Sequence, residues 1–403
     1  MTENTLLTKK HILICFNESQ INNYQNEFTN IKNNFCGLVY FDNQSEYPLD
    51  SIIYLCGDIK QFHNIDNKHI NVIKELSFDH FDKYTLIDIG VVPLNIHNVG
   101  VFFPRFFDSK NYFDLINGQH KFQSLTESNK DGFALRKGIY LTHVEENGGY
   151  EFHLLRCSSN LRGPTDNLRE TDIEIFDSVN KCCEQFFEQK VELNHTLAQI
   201  YENHIVQNGN RKSERKAKIK AHSDKTKDMP RNALMAFCTF YKDYYDNKFN
   251  EQKHIKQSYD NSFDCVYRGQ TVLTKMTFKL KPMVTDPNLV KQFDILLYPN
   301  SLFCMSLSTN RLYTHEIVPN VLPIDKIPIR MGYVIRCSNT KAVHKDKTFI
   351  IKNSNLVELT PIDKTKMEEL KKIYFDENTT DKLITYGDTF FSLNDGDYMK
   401  PII

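Results

Sequence analysis

The feature that most restricts the fold of this chain is a succession of short, β-rich segments in its second half. The clearest are ALMAFCTFY (233–241), TVLTKMTFKLK (271–281), SLFCMSL (301–307) and PIRMGYVIRCS (328–338). Short strands at this density, joined by polar connections, are typical of a jelly-roll or a barrel and not of a parallel sheet. We therefore expect an α+β protein in which flanking helices cover an all-β core.

The domain organisation follows from where this pattern begins and ends. Residues 1–92 are predicted to form a small α/β domain of unknown role, because polar stretches separate β-rich runs at 12–16, 37–41, 51–57 and 84–90. The jelly-roll domain is expected over residues 93–345, with an insertion near 242–268. A charged, weakly periodic C-terminal extension follows over residues 346–403.

Charge and hydropathy exclude several classes of protein. The 403 residues include 50 Lys and Arg against 51 Asp and Glu, a net charge of −1. That balance argues against a surface that attracts nucleic acid everywhere, but a local basic patch is compatible with it. No apolar stretch has the length of a signal peptide core or a membrane span, so we expect an intracellular protein of the cytoplasm or nucleus, with no secretion signal and no membrane partner. The ten cysteines form no C-x-x-C pair, which favours reduced core thiols.

The first candidate for chemistry is the tripeptide His222-Ser-Asp224. Residues two apart on a strand point to the same face, so an imidazole and a carboxylate can converge on one point. A second histidine from another strand, such as His315, would complete a 2-His-1-carboxylate triad that holds Fe(II) and leaves positions open for other ligands. Without that third residue, a surface turn would be the better explanation of the tripeptide.

Two arginines follow His315 in an R-x5-R arrangement, Arg330 and Arg336. Residues six apart on a strand share a face, so both guanidinium groups can reach into the same barrel. A guanidinium is suited to bidentate pairing with a carboxylate, and 2-oxoglutarate carries two carboxylates. Arg336 could alternatively be a structural ion-pair partner.

These residues, in this order, resemble the AlkB-type Fe(II)/2-oxoglutarate dioxygenases. The first arginine follows the distal histidine by fifteen residues, as in that family, and LNHTLAQIY (193–201) is similar to its N-x-Y strand. The resemblance implies a double-stranded β-helix (jelly-roll) catalytic core with O2 as co-reactant, His222, Asp224 and His315 as the catalytic iron ligands, and Arg330, Arg336, Tyr201 and Gln199 at the cosubstrate 2-oxoglutarate. It also implies hydroxylation of a C–H bond, which on an N-methyl group ends in demethylation.

The substrate class stays open at this point. Relatives that demethylate bases commonly carry an acidic residue two positions after the metal-binding Asp, where this chain has Thr226, with Asp228 close by. The basic run at 211–220, including Lys218 and Lys220, could contact the phosphates of DNA or RNA. The alternatives are a hydroxylase of a protein side chain or small molecule, and a non-catalytic jelly-roll binding module with residues 1–92 as the working part.

Overall fold

The computed structural model describes most of the chain. The described residues are 3–21, 24–42, 47–48, 50–62, 69–78, 84–126, 133–157, 160–208, 211–244 and 247–403.

The first part of the chain is a parallel β-sheet with one helix. It contains β1 (His11–Phe16), β2 (Leu38–Tyr40), β3 (Ile52–Gly57), β4 (Ile70–Ser77), β5 (Thr85–Ile87) and α1 (Gln25–Asn34), with the strands in the order β2-β1-β3-β4-β5. All four strand pairs are parallel. The sequence predicted a small α/β unit here, although it missed β4, a strand with charged residues among its apolar ones.

The N-terminal sheet packs against the rest of the protein. Every residue of β1 is buried, as expected for a central parallel strand covered on both faces. On one face the ring of His11 stacks on Phe186 at 3.9 Å between centroids. The other face carries a small apolar cluster of its own that includes Ile12 and Ile53. Residues 1–92 therefore share the main core on one side and are not packed as an isolated unit.

The remaining elements are mostly short strands, as the sequence pattern indicates. The strands are β6 (Leu94–Ile96), β7 (Gly100–Phe103), β8 (Gln123–Thr126), β9 (Phe133–Thr142), β10 (Glu145–Glu146), β11 (Tyr150–Leu154), β12 (Asp166–Asn167), β13 (His195–Tyr201), β14 (His204–Asn208), β15 (Arg211–Arg215), β16 (Ile219–His222), β17 (Leu234–Tyr241), β18 (Lys256–Gln257), β19 (Cys265–Tyr267), β20 (Gln270–Thr271), β21 (Thr274–Leu280), β22 (Gln292–Leu297), β23 (Ser301–Ser306), β24 (Tyr313–Ile317), β25 (Arg330–Arg336), β26 (Thr340–His344), β27 (Thr348–Lys352) and β28 (Asn355–Glu358). The helices are α2 (Tyr112–Gln119), α3 (Glu170–Phe186), α4 (Asn247–Gln252), α5 (Leu307–Leu312) and α6 (Lys364–Thr379).

Two β-sheets face each other and form the core. The larger has nine strands, in the order β12-β9-β13-β25-β17-β23-β7-β6 with β8 paired to β9, and the smaller has the order β16-β24-β21-β22. Aromatic side chains join them: Phe278 of the smaller sheet meets Phe303 of the larger at 5.7 Å between ring centroids. Helix α3 covers the outer face of the larger sheet, where the rings of Phe176 and Tyr333 pack with 6.4 Å between their centroids. The protein is thus a mixed α/β structure with many strands and few helices.

The C-terminal extension is continuous with the core. Strands β26 and β27 pair with each other across the boundary that the sequence predicted at residue 345, and they belong to a five-stranded sheet in the order β10-β11-β26-β27-β28. That boundary needs correction, because a hairpin connects its two sides. Residues 242–268, where the sequence predicts an insertion, include α4 and the strands β18 and β19.

No helix in the described ranges combines the length and the apolar content that crossing a bilayer requires.

Candidate metal centre

Two paired strands bring the candidate histidines together. β16 and β24 run antiparallel with His222 directly opposite His315, and the two imidazole rings lie 4.5 Å apart between centroids. Asp224 follows β16, and one potential ligand atom from each of the three residues lies within 4.8 Å of the others. The three residues that the sequence singled out therefore form one cluster, although His315 lies about ninety positions from the other two in the chain.

Asp224 reaches the cluster by a route that the sequence argument did not foresee. β16 ends at His222, so the rule that residues two apart on a strand share a face does not apply to Asp224. Its backbone is held by the side chain of Asn310 in α5: the Asp224 N–H donates to Oδ1 at 2.8 Å, and Nδ2 donates to the Asp224 carbonyl at 2.9 Å. A loop held by side chains, and not the pleat of a strand, orients the carboxylate.

The Asp224 carboxylate is ionised in the folded protein. Burial alone would raise the pKa of this group, since it is 6% exposed, but Arg336 and the two histidines outweigh burial and hold the pKa well below its usual range. Arg336 donates from Nε at 2.9 Å and from Nη2 at 2.7 Å, both to Oδ2. The second oxygen, Oδ1, faces Nε2 of His222 at 3.6 Å.

Each histidine brings a ring nitrogen close to the other two residues of the cluster. Nδ1 of His222 lies 2.9 Å from the Lys220 carbonyl, which can only accept, so Nδ1 donates and Nε2 is the ring nitrogen that faces Asp224. His315 is buried, which lowers its pKa to about 3, and its Nδ1 has no hydrogen-bond partner among the described residues. Two imidazoles and one carboxylate are the donor set that suits Fe(II) in an open facial site, so the residues fit the metal that the resemblance implies.

Arg336 does not have the role that the sequence predicted for it. Both its Nε and its Nη2 are committed to Asp224, and Nη1 donates to the Val334 carbonyl at 3.1 Å. With its guanidinium occupied in this way, Arg336 is the structural ion-pair partner that the sequence left as an alternative. It orients the carboxylate and has no free pair of donors for a cosubstrate.

Arg330, in contrast, is a buried cation that has no anionic partner in the described part of the chain. It is 5% exposed, and neither Nε nor Nη2 has a hydrogen-bond partner among the described residues. Its guanidinium carbon lies 4.0 Å from the ring centroid of Tyr201, which stands opposite it on β13. An unpaired buried charge is costly, so this position favours an anionic ligand. The Tyr201 hydroxyl donates to Oε1 of Gln199 at 3.0 Å, so Gln199 binds the tyrosine hydroxyl.

Gly332 makes room for this arginine and tyrosine. A Cβ at residue 332 would lie 2.9 Å from Nη1 of Arg330 and 3.3 Å from Cε2 of Tyr201, closer than side chains normally approach. A cavity of about 30 Å³ opens beside Arg330 and is bordered by Tyr201 and Thr274. One water needs roughly 10–15 Å³ measured this way, so the cavity has room for about two oxygen atoms, such as those of one carboxylate.

The two substrate residues predicted near Asp224 are engaged elsewhere. Thr226 binds Oε1 of Glu377 through its backbone N–H at 3.1 Å and its hydroxyl at 2.5 Å. Asp228 is buried and accepts from Nη2 of Arg156 at 2.6 Å and from the hydroxyl of Thr340 at 2.8 Å. Both are structural contacts, which corrects the sequence prediction, because neither side chain retains a free group for reading a base.

The basic run occupies the hairpin β14–β15 and the approach to β16. The side chains of Lys212, Arg215, Lys218 and Lys220 are exposed, while Lys216 turns inward to the carbonyls of Asn320 and Leu322. The side chain of Arg211 lies outside the described part of the chain. Lys218 and Lys220 thus remain available to a ligand in solution.

Sequence reasoning missed Asn310 and Gly332. A glycine inside a β-rich segment (RMGYVIR) indicates a bulge or a close backbone approach, and this signal could have identified Gly332. Nothing in the sequence identifies Asn310, because its partner Asp224 is far away along the chain.

No family model matches this chain, and no curated protein matches it. Among solved structures, the one titled "The structure of OsALKBH1" is similar with a TM-score of 0.31 and 12% sequence identity, covering 59% of this chain and 97% of that chain. This similarity is weak and establishes neither the family nor the activity of the chain.

Proposed function

We propose that this protein is an Fe(II)- and 2-oxoglutarate-dependent dioxygenase. The observation that carries the proposal is the convergence of His222, Asp224 and His315, whose ligand atoms lie within 4.8 Å of one another. The unpaired, buried Arg330 adds an anion site on the neighbouring sheet.

The metal ligands divide the work of holding the ion. Asp224 provides the negative charge and is kept ionised by Arg336, while His222 and His315 provide imidazole nitrogen donors. The Lys220 carbonyl sets the tautomer of His222 and so keeps Nε2 available. Fe(II) and 2-oxoglutarate bound there would supply the oxidation of a substrate C–H bond by O2, with succinate and CO2 as co-products.

Arg330 is the residue that we assign to the far carboxylate of 2-oxoglutarate. Its free Nε and Nη2 can donate as a pair to one carboxylate, which is the geometry in which guanidinium groups bind such ligands most strongly. Tyr201 forms a wall of this pocket, and Gly332 leaves the space that the two side chains occupy.

For the substrate, we propose a modified base in DNA or RNA, approached through the basic hairpin. The exposed Lys212, Arg215, Lys218 and Lys220 lead directly into β16 and its terminal His222. Contacts from these residues to phosphates would position a strand without reading its sequence. The occupied side chains of Thr226 and Asp228 favour the second candidate, a hydroxylase of a protein side chain or small molecule, because neither of these two described side chains keeps a free group to recognise a base. A non-catalytic module is the least favoured alternative, because such a module would not need an arginine that is buried without a partner among the described residues.

Succinate formation from 2-oxoglutarate, measured with added Fe(II) and O2 and without a substrate, tests the activity. We expect slow turnover by the wild type, none by Asp224→Ala, and unchanged turnover by His204→Ala, a matched change at an exposed histidine. The proposal fails if the wild type neither forms succinate nor binds Fe(II) or Co(II). Mass spectrometry of methylated oligonucleotides and of peptides after incubation then distinguishes the two substrate classes.

A further inference from the structure

We propose that the C-terminal helix α6 is a working part of the metal centre, with Asn378 as a positioning residue for the loop that carries Asp224. This inference rests on the proposed function, since it concerns the same metal ligands. It assigns a role to the extension after residue 345, for which the sequence indicated none.

The loop at residues 223–226 is held by side chains from outside it. The N–H of Ser223 donates to Oδ1 of Asn378 at 2.8 Å, and that of Thr226 donates to Oε1 of Glu377 at 3.1 Å. The N–H of Asp224, between them, donates to Asn310 of α5. Three backbone donors of one short loop therefore depend on side-chain acceptors, two of which come from the last turn of α6.

Helix α6 is itself anchored at this end. Lys281, which is 2% exposed, donates to the carbonyls of Glu377 at 2.6 Å and Thr380 at 3.3 Å. The hydroxyl of Tyr386 donates to the second carboxylate oxygen of Glu377. An acceptor on a fixed helix end defines the position of the loop that it binds, whereas an acceptor on a mobile segment would move with the loop.

The side chains of Lys225 and Lys227 also contact α6. Nζ of Lys225 lies 4.1 Å from the ring centroid of Tyr374, and Nζ of Lys227 donates to the hydroxyl of Tyr374 at 3.3 Å. Asn378 Nδ2 donates to the Tyr374 carbonyl at 2.8 Å, so the residue that holds Ser223 is fixed by its own helix.

The consequence for the metal follows from where β16 ends. His222 is fixed by pairing with β24, but Asp224 lies beyond the last strand residue and has no ladder to hold it. The separation of these two ligands is therefore set by the loop, and through the loop by Asn310 and Asn378. Metal sites require ligands held to within about 0.5 Å, so loosening one acceptor should weaken binding and change the coordination geometry.

Co(II) titration followed by visible absorption tests this inference without relying on turnover. We expect Asn378→Ala to weaken Co(II) binding by about tenfold, the lower end of the effect known for contacts behind metal ligands, and to alter the ligand-field bands. Asn378→Asp should restore both, because it keeps an acceptor for the Ser223 N–H although it loses the donor to Tyr374. Asn355→Ala, a matched change at an exposed asparagine in β28, should leave both unchanged.

The outcomes separate the two proposals. If the wild type binds neither Co(II) nor Fe(II) and forms no succinate, the proposed function fails. If the wild type binds Co(II) and Asn378→Ala binds it with the same affinity and spectrum, the positioning role is refuted, and equal impairment of the Ala and Asp variants also refutes it. If Asn378→Ala does not fold, Asn378→Gln replaces it, since it keeps the amide but moves the acceptor by one methylene. Wild-type affinity and bands in that variant would equally refute the role.

Discussion

Arg336 and Asp224 form a buried ion pair in which Nε and Nη2 both donate to a single oxygen, Oδ2, at 2.9 and 2.7 Å. Because one carboxylate oxygen takes both bonds, the other stays directed toward His222. The pair therefore has two effects: it keeps this buried carboxylate charged, and it leaves one carboxylate oxygen to bind the proposed metal ion. It also removes Arg336 from the set of residues that could hold a cosubstrate.

Replacing Arg336 by Met should destabilise the protein, because it leaves the Asp224 charge buried without a partner. Breaking a buried pair in this way typically costs about 3–5 kcal/mol. Urea denaturation measures the free energy of unfolding, and Arg231→Met, a change at an exposed arginine, is the control. Added Co(II) should recover part of the loss, since a bound cation replaces the missing charge. A stability equal to that of the control variant would show that the pair is not formed.

Replacing Arg330 by Ala should raise the KM for 2-oxoglutarate more than tenfold, because truncating one partner of a buried charge pair costs on the order of 2–5 kcal/mol. Arg330→Lys should recover only part of this, as an ammonium keeps the charge but cannot form the bidentate pair. Uncoupled succinate formation at a series of 2-oxoglutarate concentrations provides the measurement, with Arg162→Ala as the control. An unchanged KM in Arg330→Ala would show that the cosubstrate carboxylate does not bind at Arg330.

Replacing Gly332 by Ala should weaken 2-oxoglutarate binding and leave the metal affinity intact. The added methyl group would lie 2.9 Å from Nη1 of Arg330, so the guanidinium must shift out of its position. His222, Asp224 and His315 lie on other elements and should not move. Co(II) and 2-oxoglutarate titrations of the same variant check both halves of this expectation, and a parallel loss of both affinities would contradict it.

Stability should fall with rising pH between about 6.5 and 9 because of His120. Burial lowers the pKa of this histidine, but hydrogen bonds from Nδ1 to Asp166 and from Nε2 to Asp172 outweigh burial and raise the pKa to about 9. The folded state then binds a proton that the unfolded chain releases above about 6.5, so the contribution is complete below that pH and lost through pH 9. Its size is on the order of 3 kcal/mol.

Arg169 and Tyr333 also contact the two carboxylates that bind His120. Arg169 donates from Nη2 to Asp166 at 2.8 Å, and the Tyr333 hydroxyl donates to Asp172 at 2.8 Å. The pKa of Tyr333 is raised well above its usual value by burial and by Asp172, so this phenol stays neutral over the range. Denaturation at pH 6, 7.5 and 9 should show His120→Gln well below the wild type at pH 6 and close to it at pH 9. His143→Gln, at an exposed site, should track the wild type; a gap for His120→Gln that does not change with pH would contradict the assignment.

If the substrate is a nucleic acid, its binding should depend on salt through the basic hairpin. Replacing Lys212, Lys218 and Lys220 together by Ser should reduce the slope of log K against log salt by about 2, at roughly 0.7 per phosphate contact with a single strand. The matched control changes Lys9, Lys10 and Lys121 to Ser. Uncoupled 2-oxoglutarate turnover should be the same in all three proteins. Absence of any oligonucleotide binding at low salt would favour the protein or small-molecule hydroxylase.

Much of the site could be predicted from residue types and their spacing. The histidines, Asp224 and Arg330 are recognisable because their side chains carry groups that can bind a metal or an anion, and the β-rich segment at 328–338 places Arg330 on a strand. Elements with a strong local pattern were also predicted to within a few residues, such as β17 and β25. Short-range information was sufficient there, because alternation and β-branched content are properties of the segment itself.

The tertiary structure decided which of these groups have partners. Arg330 and Arg336 are the same residue type and lie on the same face of one strand. Arg336 pairs with the carboxylate of Asp224, whereas Arg330 contacts the ring of Tyr201. Only the packing of β25 against the loop at residues 223–226 distinguishes the two arginines. The same holds for Asp228, which Arg156 neutralises, and for Asn310 and Asn378, which hold that loop from distant helices. The sequence by itself determined the chemical groups that this protein carries. Their protonation, pairing and position depend on contacts between residues far apart in the chain, because burial and neighbouring charge exist only in the folded state.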